Sequence, residues 1–310
     1  MPRILFVKTS SLGDVVHHCP AVSDAARERP TARIDWVVEE PFAGIAAMHP
    51  AVRRVIPVAL RRWRSAPWNP RVWTEIREFR EALRGESYDT VIDTQSLVKS
   101  ALVARLAAGV KHGMDRDSAR EPLAARFYDV THAVPRGLHA VERNRRLTAA
   151  SLGYELKGTP EYGLRAEGAV PGDIGGVYAV LLTMTSRADK LWPEKRWVEL
   201  GRALAMPVVL PWGSDEERER ADRIGRGIGQ AIVPKRMSLG ELGKVFVHAR
   251  AVVGLDTGLT HVAAALGVPT VGVYCGSDPK LTGVYGAARA RNVGAPGRPP
   301  EVFEVLQNLA

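Results

Sequence analysis

The sequence predicts an α/β protein made of two doubly wound units in series. Three observations carry that reading. The 310 residues amount to two domains' worth of chain at a usual size of ~150 residues each. Short apolar runs alternate with stretches of helical periodicity, the pattern of mainly parallel strands covered on both faces. The alternation dissolves over 155–176, where Lys157-Gly158-Thr159-Pro160 and Pro171-Gly172 fall, and then restarts. That stretch reads as the linker.

In the first unit, a strand over 4–8 runs into Thr9-Ser10-Ser11-Leu12-Gly13-Asp14 and then a helix to about Arg29. Strands are expected over 34–38 and 52–58, and a helix over 74–83, where Ile76, Phe79 and Leu83 share a face. Thr90-Val91-Ile92-Asp93 reads as a buried strand, followed by a helix over 97–106. In the second unit, strands are expected over 177–182, 207–210, 252–255 and 270–274. Helices are expected over 193–204, opening on Pro193, and over 215–224, 239–248, 259–266 and 302–306. The domains are drawn at 1–165 and 166–310, with the last helix a candidate to pack back on the first. Two such units would hold a ligand in a cleft between them, at the carboxyl ends of their strands.

The composition, 45% hydrophobic and 25% charged, excludes disordered, collagen-like and disulfide-scaffold classes. Cys19 and Cys275 are the only cysteines and lie far apart, so neither a disulfide framework nor a cysteine zinc site is expected. The N-terminal apolar run is too short for a secretory signal. The stretch 257–277 lacks charged residues but is interrupted by Gly267-Val268-Pro269, so it reads as helix, turn and strand rather than a membrane span. A cytoplasmic location is therefore expected. The net charge is +9, and 34 of the 43 basic residues are arginine. Between Glu40 and Glu75 stand Arg53, Arg54, Arg61, Arg62, Arg64 and Arg71 with no acid. This points to an anionic partner: a phosphate, carboxylate, nucleic acid or acidic membrane surface.

Three strand-to-helix junctions have the composition of a site. After the first strand, Asp14 either caps the following helix or stands at the cleft as a general base. Free backbone N–H groups there attract anions, although neither a dinucleotide fingerprint nor a P-loop is present. Thr185-Ser186-Arg187-Ala188-Asp189-Lys190 is either a polar connection or a diphosphate site, with hydroxyl donors and Lys190 as a mobile charge. Gly254-Leu255-Asp256-Thr257-Gly258-Leu259-Thr260-His261 is the most specific signal. Its Asp-Thr-Gly also occurs in aspartic proteases, but those are all-β. At a helix start, Thr257 and Gly258 offer N–H groups to a phosphate and His261 another donor. Asp115-Arg116-Asp117 matches a metal-binding Asp-x-Asp in form only and reads as a solvated loop.

In this order along the chain, the segments VKTSSLGDVVH (7–17), DWVVEE (35–40), IPVALRRWR (56–64), LVKSALVARLA (97–107), GVKHGMD (109–115), AREPLA (119–124), HAVERNR (139–145), DKLWPEKRW (189–197), LPWGSDEER (210–218), PKRMSL (234–239) and LDTGLTHVAAALGVPTVGVY (255–274) resemble the ADP-heptose:lipopolysaccharide heptosyltransferases. The resemblance spans almost the whole chain and is weakest at the C-terminus. It implies a GT-B fold, two Rossmann-like domains with parallel sheets facing across a cleft, the first binding acceptor and the second donor. It implies inverting transfer from ADP-L-glycero-β-D-manno-heptose to the inner Kdo of Kdo2-lipid A, with no cofactor and no catalytic metal. The enzyme would work peripherally, on the cytoplasmic face of the inner membrane. Matched by motif, Asp14 is the general base. Thr185, Ser186, Lys190, Asp256, Thr257, Gly258 and His261 bind donor, with Glu217 near the ribose and Met237 near the adenine. The family usually has Thr-Thr where Thr185-Ser186 stand here, and Ser186 keeps the hydroxyl. Ser10, Ser11, Gly13, Arg61, Arg62, Arg64, Arg120 and Arg143 are the acceptor-binding candidates, suited to Kdo carboxylates and lipid A phosphates. Trp63, Trp68 and Trp73 interleave with the arginines, as membrane contacts or core. A sugar-nucleotide epimerase or hydrolase would share the diphosphate site but need no basic acceptor surface. A nucleic-acid-binding protein lacks a recognisable module here.

Overall fold

The computed structural model describes residues 1–172 and 174–309. The chain divides into two compact units, Met1–Gly163 and Leu164–Ala310. The first contains β1 (Arg3–Val7), β2 (Arg33–Glu39), β3 (Val52–Val58), β4 (Ser87–Asp93), β5 (Ala108–Met114) and β6 (Val130–His132). These form one parallel sheet in the order β3-β2-β1-β4-β5-β6. The second contains β7 (Ala179–Leu182), β8 (Val208–Val209), β9 (Ala231–Ile232), β10 (Ala251–Leu255), β11 (Thr270–Tyr274) and β12 (Ala290–Gly294). Its order is β12-β11-β10-β7-β8-β9, again parallel.

Counted from its own first strand, each sheet runs 3-2-1-4-5-6, the doubly wound order. The winding reverses between β1 and β4 in one unit and between β7 and β10 in the other. Ligands of such sheets sit beyond the carboxyl ends of the strands at that reversal.

The central strands are apolar on both faces because helices cover both. Leu5, Val7, Val37 and Val91 pack with Phe79 and Leu83, which come from the helix Pro70–Arg84. Leu181, Val253, Leu255 and Val271 pack with Trp192 and Trp197, whose rings meet edge to face at 5.0 Å. The last helix, Val302–Gln307, packs into the core of its own unit through Val302 and Val305. Trp192 Nε1 reinforces it by donating to Pro300 O at 3.0 Å. Among the described residues no helix is long and apolar enough to cross a membrane.

Candidate active site

At the reversal in the first unit, β1 ends in Val7, and Lys8 and the loop after it lead to the short helix Leu12–Val16. Asp14 lies in its first turn and accepts a hydrogen bond from Ser11 N–H at 3.1 Å. It therefore caps the helix, as its position suggested, but the cap leaves it able to do more. Arg120 Nη1 donates to the same oxygen at 3.1 Å, and the Asp14 side chain keeps 22% of its surface exposed. Burial pushes the Asp14 carboxyl up, but the charges of Lys8 and Arg120 and the bonds from Ser11 and Arg120 outweigh it. The group sits below the ordinary carboxylate value and is ionised near neutrality.

Lys8 is buried, its ammonium donating to Thr94 O at 3.1 Å and Asn144 Oδ1 at 3.4 Å. Burial lowers its pKa, while Asp14 pulls the other way. Just after β4, Gln95 Oε1 accepts the N–H groups of Thr9 and Ser10, both at 3.2 Å, and so holds the loop that presents Asp14. The wholly buried Asp93 supports that turn by accepting from Gln95 N, Ser96 N, Ser100 Oγ and Tyr128 Oη. Ser10 Oγ also takes a 3.4 Å bond from Lys99.

At the reversal in the second unit, Asp256 is the hub. Its Oδ2 accepts from Lys190 Nζ at 2.6 Å and from Ser277 Oγ at 2.5 Å. His261 Nε2 lies 3.9 Å from its Oδ1. Thr185 Oγ1 donates to Asp256 O at 3.0 Å. Burial alone would raise the Asp256 carboxyl, but His261, Lys190 and Ser277 carry it far below the ordinary value. Thr257 is the N-cap of the helix Gly258–Ala265 and its hydroxyl makes no capping bond; Thr260 N–H bonds Thr257 O at 3.1 Å, and the start of such a helix attracts anions. Ser186 is exposed beside this cluster in sequence. Gly276 permits the close approach of the Ser277 loop, since a Cβ there would stand 2.6 Å from Asp189 O. Gly276→Ala is expected to push the loop away from Asp256 and weaken binding of a diphosphate such as pyrophosphate by roughly tenfold, the worth of a misplaced charge-assisted hydrogen bond. Titration calorimetry checks this.

Glu217 Oε2 accepts Gly213 N–H at 2.6 Å at the start of the helix Asp215–Ile228, which leaves its second oxygen for a ligand. Met237 lines a cavity of about 480 Å3 with Ile174, Val233, Pro234 and Glu241.

The arginine stretch is corrected by the structure. Acid-free in sequence, it is not acid-free in space. Arg53 pairs with Asp35 and Glu86, and Arg54 with Asp35 and the Tyr88 hydroxyl, so both are structural. Arg62 is exposed but already bridges Glu40 and Glu75. Arg61 carries its charge near the buried Glu39. Arg64 and Arg71 are exposed and form no ion pair among the described residues. Arg143 donates from Nη2 to Ser118 O and Met114 Sδ while its buried Nε has no partner among the described residues, and burial together with Arg136 and Arg120 lowers its pKa. Trp63 belongs to the core, edge to face with Phe79 at 5.6 Å, its indole N–H on Glu75. Asp115 caps its own turn through Ser118 N, as a loop residue does. Among the described residues no group of three or more His, Cys, Asp or Glu is placed to hold a metal.

Residues 76–302 match the model of glycosyltransferase family 9 (heptosyltransferase). The chain belongs to this family. Lipopolysaccharide heptosyltransferase 1 of Escherichia coli K12 is 50% identical to this heptosyltransferase over 291 residues, 92% of this chain and 91% of that protein. The structure of E. coli heptosyltransferase WaaC with ADP superposes with a TM-score of 0.91 at 46% identity, covering 98% of both chains. WaaC with ADP-2-deoxy-2-fluoro heptose gives 0.84 at 45% identity, covering 97% of this chain and 95% of that one. The fold is thus GT-B, built from two Rossmann-like units.

Sequence reasoning about this heptosyltransferase missed Lys8, Gln95 and Ser277. A lysine closing an otherwise apolar strand, and polar residues directly after β4 and β11, were the available signals. Only the reversal of strand order marks β4 as the neighbour of β1.

Proposed function

We propose that this heptosyltransferase, which acts in lipopolysaccharide inner-core synthesis, is of type I and uses the inner Kdo of Kdo2-lipid A as acceptor. The observation that carries the mechanism is Asp14, an ionised carboxylate held at the reversal of the first sheet. The acceptor hydroxyl attacks the anomeric carbon of ADP-heptose as its proton passes to Asp14. The new C–O bond forms while the bond to the β-phosphate oxygen breaks, ADP leaves, and the configuration inverts. Negative charge grows on the diphosphate, where Lys190, His261 and the N–H groups at Thr257 and Gly258 stabilise it. Thr185 and Ser186 supply hydroxyl donors. Adenine occupies the cavity beside Met237, and the ribose bonds Glu217.

We assign the acceptor to the first unit and the donor to the second. Ser10, Ser11 and Gly13 line the approach to Asp14. Arg61 and Arg64 take the acceptor's carboxylates and phosphates, while Arg62, Arg120 and Arg143 already have partners to share or exchange. Because the acceptor is a membrane glycolipid, the enzyme works peripherally at the inner membrane, facing the cytoplasm.

Measuring ADP release with and without acceptor tests the reaction class. Release only with acceptor is expected; rapid release or epimer formation from ADP-heptose alone would favour a hydrolase or epimerase. A pH profile tests the base. Asp14 is depressed partly by Arg120, so Arg120→Gln raises its pKa and moves the acid limb of kcat/KM to higher pH. An unmoved limb would remove Asp14 from that step.

A further inference from the structure

The helix Pro70–Arg84 turns Val72, Phe79 and Leu83 into the core of the first unit. Its outer surface carries a second pattern. Trp73, Arg77, Arg80 and Arg84 recur at i, i+4, i+7 and i+11, which an α-helix lays in one row. All four are exposed. Trp73 is 62% exposed, and Trp68, in the loop that precedes the helix, is 80% exposed. The other five tryptophans are buried or half-buried, so these two stand apart. Trp73 Nε1 donates to Pro67 O at 2.9 Å, tying the loop that carries one indole to the helix that carries the other.

The arginines of the row are equally unspent. Arg77, Arg80 and Arg84 form no ion pair among the described residues, nor do the neighbouring Arg64 and Arg71. On the same helix, Glu75 is taken by Arg62 and Trp63, while Glu78 and Glu81 fall to one side of the row.

We propose that Trp68 and the row Trp73, Arg77, Arg80, Arg84 form a docking surface for an anionic phospholipid bilayer. Indoles suit the headgroup layer, where the ring is half solvated, and a line of arginines suits lipid phosphates. Tryptophan and arginine also serve protein interfaces, but a row of single-sign charge without an ion pair among the described residues matches a continuous phosphate layer better than a protein surface of mixed charge. The surface rests in one respect on the glycolipid acceptor proposed above. The helix Leu60–Ser65, which carries Arg61 and Arg64, leads directly into the Trp68 loop. Docking would therefore bring the acceptor arginines to the lipid surface.

Flotation of the full chain with phosphatidylcholine vesicles, with and without phosphatidylglycerol, tests the proposal in the absence of donor and acceptor. Binding to the anionic vesicles, weakened by salt, is expected. Trp68→Ser with Trp73→Ser, and separately Arg77→Gln with Arg80→Gln and Arg84→Gln, should each lower partitioning by roughly tenfold or more. Both variants should transfer heptose normally to a deacylated, water-soluble acceptor and slowly to acceptor embedded in vesicles. Failure of the unaltered chain to float, flotation by the variants as strong as its own, or loss of transfer to the soluble acceptor would each overturn the docking surface. An unaltered chain that floats but never transfers to the soluble acceptor would instead contradict the acceptor reading.

Discussion

Asp14→Asn is expected to lower kcat by about 10²–10⁴-fold, the usual worth of a positioned general base. The substitution keeps shape and removes only the ability to take a proton. The asparagine oxygen can still accept Ser11 N–H, so the first turn of the short helix should survive. ADP binding should change little, because the residues proposed to hold the donor belong to the second unit. Stopped turnover with intact ADP titration supports the assignment. Retained turnover would end it. The effect should also be larger than that of Lys8→Met, which removes a buried charge acting on Asp14 through space. That second variant is expected to move the pH profile more than the maximal rate.

Lys190→Ala is expected to cost about 10²–10³-fold in kcat, comparable to losing one preorganised donor to a developing negative charge. Lys190 meets Asp256 at 2.6 Å, so its ammonium is held near the head of the helix Gly258–Ala265 before any donor arrives. Asp256 would keep Ser277 and His261, which limits structural damage. ADP binding should weaken more than AMP binding, because the lost charge serves the β-phosphate that leaves. Lys190→Arg should rescue poorly, since a planar guanidinium cannot replace a compact ammonium in the same space. Unchanged kcat and KM in the alanine variant would remove Lys190 from the site.

The central strands were legible because burial on both faces leaves an unmistakable apolar run: β1, β2, β10 and β11 fall within a residue or two of expectation. The edge strand β3 was also expected over its observed span, but β5, β6, β9 and β12 were not. β5, next to the edge strand β6, reads Ala-Gly-Val-Lys-His-Gly-Met, and its glycines and half-buried Lys111 and His112 leave no apolar run to mark it. β9 has two residues and β12 begins Ala-Arg-Asn. The helix expected from Thr74 starts at Pro70, where Asn69 accepts Arg71 N–H as a cap. That Asn-Pro signal was present and unused.

The site was legible where one segment carries its own logic. The Asp-Thr-Gly-x-x-His junction does so: it reads as a strand end and a helix start, and the structure brings its Asp256 and His261 together with Lys190. It was not legible where charges cancel through space. Arg53 and Arg54 looked free because their partner, Asp35, lies on the adjacent strand. Lys8 looked like an ordinary strand end because its partners, Thr94 and Asn144, are distant in sequence.

Mass spectrometry and anomeric NMR of Kdo2-lipid A incubated with ADP-L-glycero-β-D-manno-heptose give the most direct measurement. One heptose added to the inner Kdo in α linkage, the inverse of the donor, is the expected product. A folded protein that binds ADP yet adds no heptose, or adds it with the donor's configuration retained, would contradict inverting transfer through Asp14.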